Sequence, residues 1–316
     1  LMKRIEFIRS SAIVCASVAL PRYAWSNSGM YSFLGERRVA QILDAKESMV
    51  QNTPILRAFA GGKLDFVSPF VLLDEFGPMV VEPGTEGMQI KAHPHAGVTP
   101  TTYLLSGSGR HTDSLNNDIV YLKGQFMLFS SGSGAIHEEV SSEEIKRDGG
   151  SVHGFQIWLN IPSAEKFSTP HTAIHDHEDL PMIQRPGSRI KVIMGELFGQ
   201  QSPTQTFSPA FYYHVHIEPN GRLDIPVDPA FNAFSYVIDG QVELERQQQL
   251  NGQQIALFER GGDHVRFYSE KGCELLLLGG QPLNETVYSY GPFVMNNQEQ
   301  IEQCFRNYRE GRMGQL

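Results

Sequence analysis

Two short stretches of this chain carry paired residues of the kinds that bind metal ions. His93-Pro94-His95 sets two imidazoles at positions i and i+2, and His137-Glu138-Glu139 sets an imidazole and a carboxylate at the same spacing. On an extended strand such residues project to one face, roughly 6–7 Å apart along the chain. If the two strands are neighbours in a barrel, His93, His95, His137 and Glu139 converge on one interior point. Four ligands then leave vacancies on an octahedral ion for a substrate oxygen and O2. Three neutral imidazoles and one carboxylate suit Fe(II), the expected ion, and also Mn, Ni, Cu or Zn. The set contains no thiolate, which argues against a closed structural zinc site. A lone H-x-H is more often a pair of surface histidines, but a second pair of the same spacing makes a shared site the better reading.

The elements that must position these groups read as strands. Phe66 to Leu73, Thr101 to Leu105, Phe155 to Leu159 and Glu274 to Leu278 are short apolar runs bounded by turn formers, the last buried on both faces. A helix is expected only in the tail, over Gln298 to Arg309, where Ile301, Phe305 and Tyr308 recur at helical spacing after an Asn cap at 296 or 297. The class is all-β. Thr102-Tyr103-Leu104-Leu105-Ser106-Gly107 is matched by Ser235-Tyr236-Val237-Ile238-Asp239-Gly240, and Gly124 to Glu139 can be laid on Gly262 to Leu277. Such a repeat suggests two related barrels. In this overlay Pro226 and Asp228 replace His93 and His95, while Leu275 and Leu277 replace His137 and Glu139. The four ligands vanish together, as expected if only one barrel keeps a metal. The expected organisation is an N-terminal extension over 1–30, a metal-carrying barrel over 36–170, a connection over 171–190, and a metal-free barrel with the C-terminal helix over 191–316.

Composition narrows the function. A chain of 316 residues allows two domains, and a net charge of −9 argues against direct nucleic-acid binding. Cys15, Cys273 and Cys304 are too scattered for a disulfide framework or a zinc knuckle and read as buried or free thiols. No apolar run is long enough to span a bilayer as a helix. Lys3, Arg4 and Arg9 precede the apolar stretch Ser11 to Leu20 and the small-x-small pattern Ala24-Trp25-Ser26, which resembles an export signal. Export to the periplasm is therefore the expectation, with a cytoplasmic protein bearing an uncleaved extension as the alternative.

The other histidines read as structural. His171, His175 and His177 fall in a polar connection, His214 and His216 are expected to be ordinary strand residues, His111 to make a structural hydrogen bond at a turn, and His153 to begin a strand.

Beyond these patterns the chain resembles the pirin family of two-barrel cupins. The resemblance rests on Phe70 to Pro78, His93-Pro94-His95-Ala96-Gly97, His111-Thr112-Asp113-Ser114, Gly132 to Glu139 and His153 to Asn160. In the second half it rests on Pro282-Leu283-Asn284-Glu285 and Gly291 to Asn296. It covers about residues 38 to 310. It implies two packed cupin barrels of the jelly-roll type, with iron in the N-terminal one held by His93, His95, His137 and Glu139. It further implies one of two activities. The first is a quercetin 2,3-dioxygenase-like reaction of a small phenolic substrate with O2, with Glu139 as the proton acceptor. The second is an iron-dependent, redox-sensing regulatory role through a protein partner. One departure stands out: pirins commonly carry a glutamate four residues after the second histidine of H-P-H, and here Thr99 holds that place.

Overall fold

Glycine and proline break the chain so often that helices rarely have room to nucleate, and the apolar runs between breaks pair as strands instead. The structure, a computed structural model, describes residues 35–60 and 64–316; the export-like segment lies outside them. Among the described residues there are two α-helices, Glu143–Asp148 and Gln298–Arg309. The second is the helix expected in the tail, with the Asn297 side chain accepting from the Gln300 amide. Its buried residues are Ile301 and Cys304, while Phe305 is half-buried and Tyr308 exposed. No helix is long and apolar enough to cross a membrane among the described residues.

The strands form two barrels. The first joins a seven-stranded sheet, from His171–His175 at one edge to Lys46–Val50 at the other, to a four-stranded sheet. The four run Gln89–His95, Ala135–Ser141, Ser108–Asp113, Asp118–Leu122. The second barrel is built on Gln254–Phe258, Asn232–Glu243, Cys273–Gly280, Ala210–Ile217 and Ser188–Met194, with Gly221–Pro226 paired to His264–Ser269. The expected bounds 36–170 and 191–316 are crossed at both ends. Val39–Asp44 pairs with Gln254–Phe258 of the second barrel. In return, Phe293 bridges to Ala96, and the Val294 amide donates to the Ala96 carbonyl at 3.0 Å on the first barrel. The connection is also structured, since His171–His175 pairs with Phe126–Ser130 of the first barrel and Met182–Arg185 with Ser188–Met194 of the second.

Alternation along Cys273–Gly280 shows where the cores lie. Leu275 and Leu277 enter the interior of the second barrel, while Leu276 and Leu278 face the first barrel beside Phe155, Phe234 and Tyr236. Such a strand is buried on both faces, which is why its sequence is continuously apolar.

The strand pairing also corrects the overlay of the two halves. Gln89–His95 pairs with Ala135–Ser141, and its counterpart Gly221–Pro226 pairs with His264–Ser269 rather than with the strand of Leu275 and Leu277. Leu275 and Leu277 lie opposite Val215 and Tyr213 on a neighbouring strand. Gly124 to Glu139 spans Phe126–Ser130 and Ala135–Ser141, whereas Gly262 to Leu277 spans His264–Ser269 and Cys273–Gly280, so the overlay is one strand out of step. The inward positions facing each other on the second barrel's pair are Leu223 with Phe267 and Ile225 with Val265. The loss of ligands in the second barrel therefore stands, on different residues.

Candidate metal centre

Antiparallel pairing sets His137 directly opposite His93 and Ala135 opposite His95, with a register shift between His137 and Glu139. The result is a three-way meeting of imidazoles. The His93 Nε2 lies 3.0 Å from the His95 Nε2 and 3.1 Å from the His137 Nε2. The His93 Nδ1 faces the Lys91 carbonyl at 2.8 Å, and the His95 Nδ1 faces the Pro292 carbonyl at 3.1 Å. A carbonyl can only accept, so Nδ1 carries the hydrogen in both rings and Nε2 presents a lone pair. Lone pairs facing each other at 3 Å repel unless a cation lies among them. With metal–nitrogen bonds of roughly 2.1 Å, neighbouring ligands at right angles are about 3.0 Å apart and at tetrahedral angles about 3.4 Å. The spacing here fits an octahedral ion approached from one face.

Burial keeps the imidazoles in the state a metal needs. It holds His93 below the ordinary imidazole range and His95 and His137 well below it, with the neighbouring rings adding to the depression of the latter two. Phe129 stacks on His137 at 4.5 Å between centroids, and Trp158 stands edge-on to His95 at 4.8 Å.

Glu139 approaches from the side. Its Oε1 accepts from the Thr102 hydroxyl at 2.7 Å and its Oε2 from the Gln156 amide at 2.8 Å. Each oxygen keeps a further lone pair for a metal or a proton. The ligand atoms fall into two overlapping clusters within 4.8 Å, His93–His95–His137 and His111–His137–Glu139, which share His137. The sequence predicts a structural role for His111. It does bond Asp113 Oδ2 through Nε2 at 3.0 Å, but its Nδ1 is buried without a hydrogen-bond partner, 4.0 Å from Glu139 Oε1. Thr102, Gln156 and the Pro292 carbonyl were also missed; none belongs to a motif with the ligands it supports. Thr99 is buried and donates to the Ser130 hydroxyl at 3.4 Å.

The remaining histidines are placed as follows. His153 Nε2 bonds Glu75 Oε1 at 2.6 Å, His177 meets Lys191, and His214 lies between Tyr103 and Glu274. His171 and His175 lie on the edge strand His171–His175. Cys273 and Cys304 are buried free thiols, as expected, and Cys15 lies outside the described residues.

His93, His95 and Glu139 open onto a cavity of about 590 Å³. Its walls include Val71, Met88, Ile90 and Trp158, and the C-terminal segment closes one side with Pro292 and Val294. Met127 and Phe155 do not line it; they pack into the apolar clusters of the first barrel and of the contact between barrels. A polar row crosses the sheet beneath the cavity. Thr102 lies opposite Gln156, Gln156 opposite Asp74, and Asp74 opposite Arg57. Arg57 grips Asp74 with two hydrogen bonds of 2.8 and 2.6 Å. Desolvation raises the Asp74 pKa, while Arg57 opposes that rise.

Two double-sheet barrels, one with such a constellation and one without, define a bicupin. Residues 52–159 match the Pirin family profile and residues 212–314 that of the Pirin C-terminal cupin domain. Pirin-1 of Arabidopsis thaliana is 30% identical over 254 residues, covering 78% of this chain and 84% of that protein. Human pirin is 29% identical over 278 residues, covering 86% and 92%. A crystal structure of quercetin 2,3-dioxygenase from Acinetobacter baumannii superposes with a TM-score of 0.85 at 28% identity, covering 89% of this chain and 99% of that one. The chain belongs to the pirin family.

Proposed function

We propose that this protein is a metal-dependent oxygenase of the quercetin 2,3-dioxygenase type, acting with O2 on a flavonol-like or other small phenolic compound. The observation that carries the reading is the convergence of three imidazole Nε2 atoms, with His93 3.0 Å from His95 and 3.1 Å from His137, beside the Glu139 carboxylate at the wall of a largely apolar cavity. His93, His95, His137 and Glu139 would hold the ion, with Fe(II) expected and Mn, Ni, Cu or Zn as alternatives. When bound, the ion supplies positive charge that lowers the pKa of a phenolic hydroxyl and a meeting place for substrate and O2.

The chain's own residues do the rest. Trp158, Ile90 and Val71 offer apolar surface to a flat ring and exclude water from it. Glu139, held at both oxygens, is placed to take the hydroxyl proton on a free lone pair. Arg57 and Asp74 lie along the same cavity and can receive a polar group at the substrate's far end. Thr99, turned to Ser130, supplies no carboxylate, so proton acceptance is assigned to Glu139.

The test is the flavonol absorption band of quercetin in air with metal-loaded protein, and with His95→Ala as control. Loss of the band with the wild type alone supports the reading, and an unchanged band overturns it. Metal retention without turnover would favour the regulatory alternative. Export rests on residues 1–30, and N-terminal sequencing of the mature protein decides it.

A further inference from the structure

The outer face of the second barrel meets the first over a separate cleft of about 510 Å³. On its strands, Ile190, Val192, Tyr213, Val215 and Leu275 turn into the barrel core. The alternate residues Arg189, Lys191, His214, His216 and Glu274 therefore face outward into the cleft. Register sets Lys191 opposite His214, Arg189 opposite His216, and His216 opposite Glu274. Lys191, Arg189, His214 and His216 thus occupy the corners of a two-by-two grid, neighbours about 5 Å apart across the strands and about 7 Å along them. Lys123, from the first barrel, lines the same cleft.

One corner of this grid is withdrawn from solvent while Arg189 stays exposed. Lys191 is only 4% exposed, and its ammonium bonds the His177 ring and the His177 carbonyl. It forms no direct ion pair among the described residues, nor do Arg189 and Lys123; Glu178 and Glu274 act on Lys191 and Arg189 only from a distance. A cation taken out of water without a counter-charge is costly unless an anion joins it. Of the two carboxylates in the lining, Glu274 is engaged by the His214 Nε2 at 2.7 Å, and Glu178 is exposed. The other ring nitrogen of His214 meets the buried Tyr103 hydroxyl at 3.0 Å, which fixes that corner of the grid. Three cations against two carboxylates make a local positive site on a chain of net charge −9.

We propose that this inter-barrel cleft binds a small molecule through an oxyanion group, phosphate or carboxylate, with Lys191 and Arg189 as the principal contacts and His216 beside them. The site is separate from the metal-directed histidines and does not depend on the oxygenase reading. The probes are inorganic phosphate and malonate, titrated calorimetrically into the metal-loaded full-length protein at low ionic strength. We expect saturable binding of at least one of them, weakened tenfold or more by Lys191→Met and several-fold by Arg189→Gln. His95→Ala should bind as the wild type does. Arg189 is exposed, so its variant keeps the test valid even if Lys191→Met folds poorly. Absence of saturable binding overturns the proposal. So does equal binding by the wild type and both cleft variants, or binding lost in His95→Ala alone, which would place the anion on the metal.

Discussion

In the first barrel the strand pair Gln89–His95 and Ala135–Ser141 turns His93, His95, His137 and Glu139 inward; in the second, the pair Gly221–Pro226 and His264–Ser269 turns in Leu223, Ile225, Val265 and Phe267. The consequences spread through each barrel. The second closes on one cluster of 23 buried apolar residues, while the cluster inside the first holds nine and leaves a cavity. Part of the first barrel's stability must then come from elsewhere, and it is found at its borders. Phe70, Phe155 and Leu159 pack against Phe234, Tyr236 and Leu278, so the filled barrel serves as a wall for the hollow one. A side chain spent on holding a cation is not available to fill space, and the fold answers by placing a solid copy beside the open one.

That contrast can be broken or sharpened by experiment. The largest effect is expected from His95→Ala or His137→Ala, which should abolish metal retention in purified protein by elemental analysis. The loss should exceed the roughly 10–100-fold that removal of a supporting residue costs. Phe267→Ala should cost about 3–5 kcal/mol in denaturant unfolding, because nothing nearby can fill the gap. Ile90→Ala, on a wall that already opens on the cavity, should cost no more than about 1 kcal/mol. Equal losses would show that the two interiors are packed alike. Thr102→Val with Gln156→Leu should weaken metal binding roughly 10–100-fold in a chelator competition while leaving the fold intact, since it frees Glu139 without removing a ligand.

A further effect is on pH. His95 and His137 have folded pKa values depressed well below 6.5, chiefly by burial. Above pH 6.5 both states are neutral there and the metal-free protein has its full stability. As pH falls below 6.5, the unfolded chain takes up protons that the folded one refuses, and stability is lost at up to about 1.4 kcal/mol per pH unit for each histidine. Urea midpoints should fall between pH 7 and pH 5, less steeply for His95→Ala. Parallel curves would mean that the imidazoles already carry protons in the fold.

What could be read from the chain was local. Period-two spacing shows that His93 and His95 share a face, as do His137 and Glu139, and turn residues at short intervals show that strands dominate. Non-local features were invisible. Thr102 and Gln156 hold Glu139 from two other strands, and Pro292 contributes only a backbone carbonyl, which no side-chain pattern can signal. His111 looked like a turn residue because its neighbour Asp113 does bond it; only the pairing of Ser108–Asp113 with Ala135–Ser141 brings it beside Glu139. The overlay of the halves slipped for a similar reason, since only the pairing of Gly221–Pro226 with His264–Ser269 marks the latter as the counterpart of Ala135–Ser141.

Lys166 is fully buried and gives its three ammonium hydrogens to the Gly97 and Val294 carbonyls and the Asn160 side chain. It thereby fastens the final segment of the chain beside the loop that follows His95. A ribosome delivers residues 93–139 long before residues 292–294, and domains tend to fold as they emerge. The nascent first barrel would consequently wait, with the ring of His95 unlocked, until residues 292–294 have emerged. Metal capture should therefore await residues 292–294: ribosome-bound chains halted at residue 284 should hold no ion, and finding them loaded would show that this segment is dispensable for uptake.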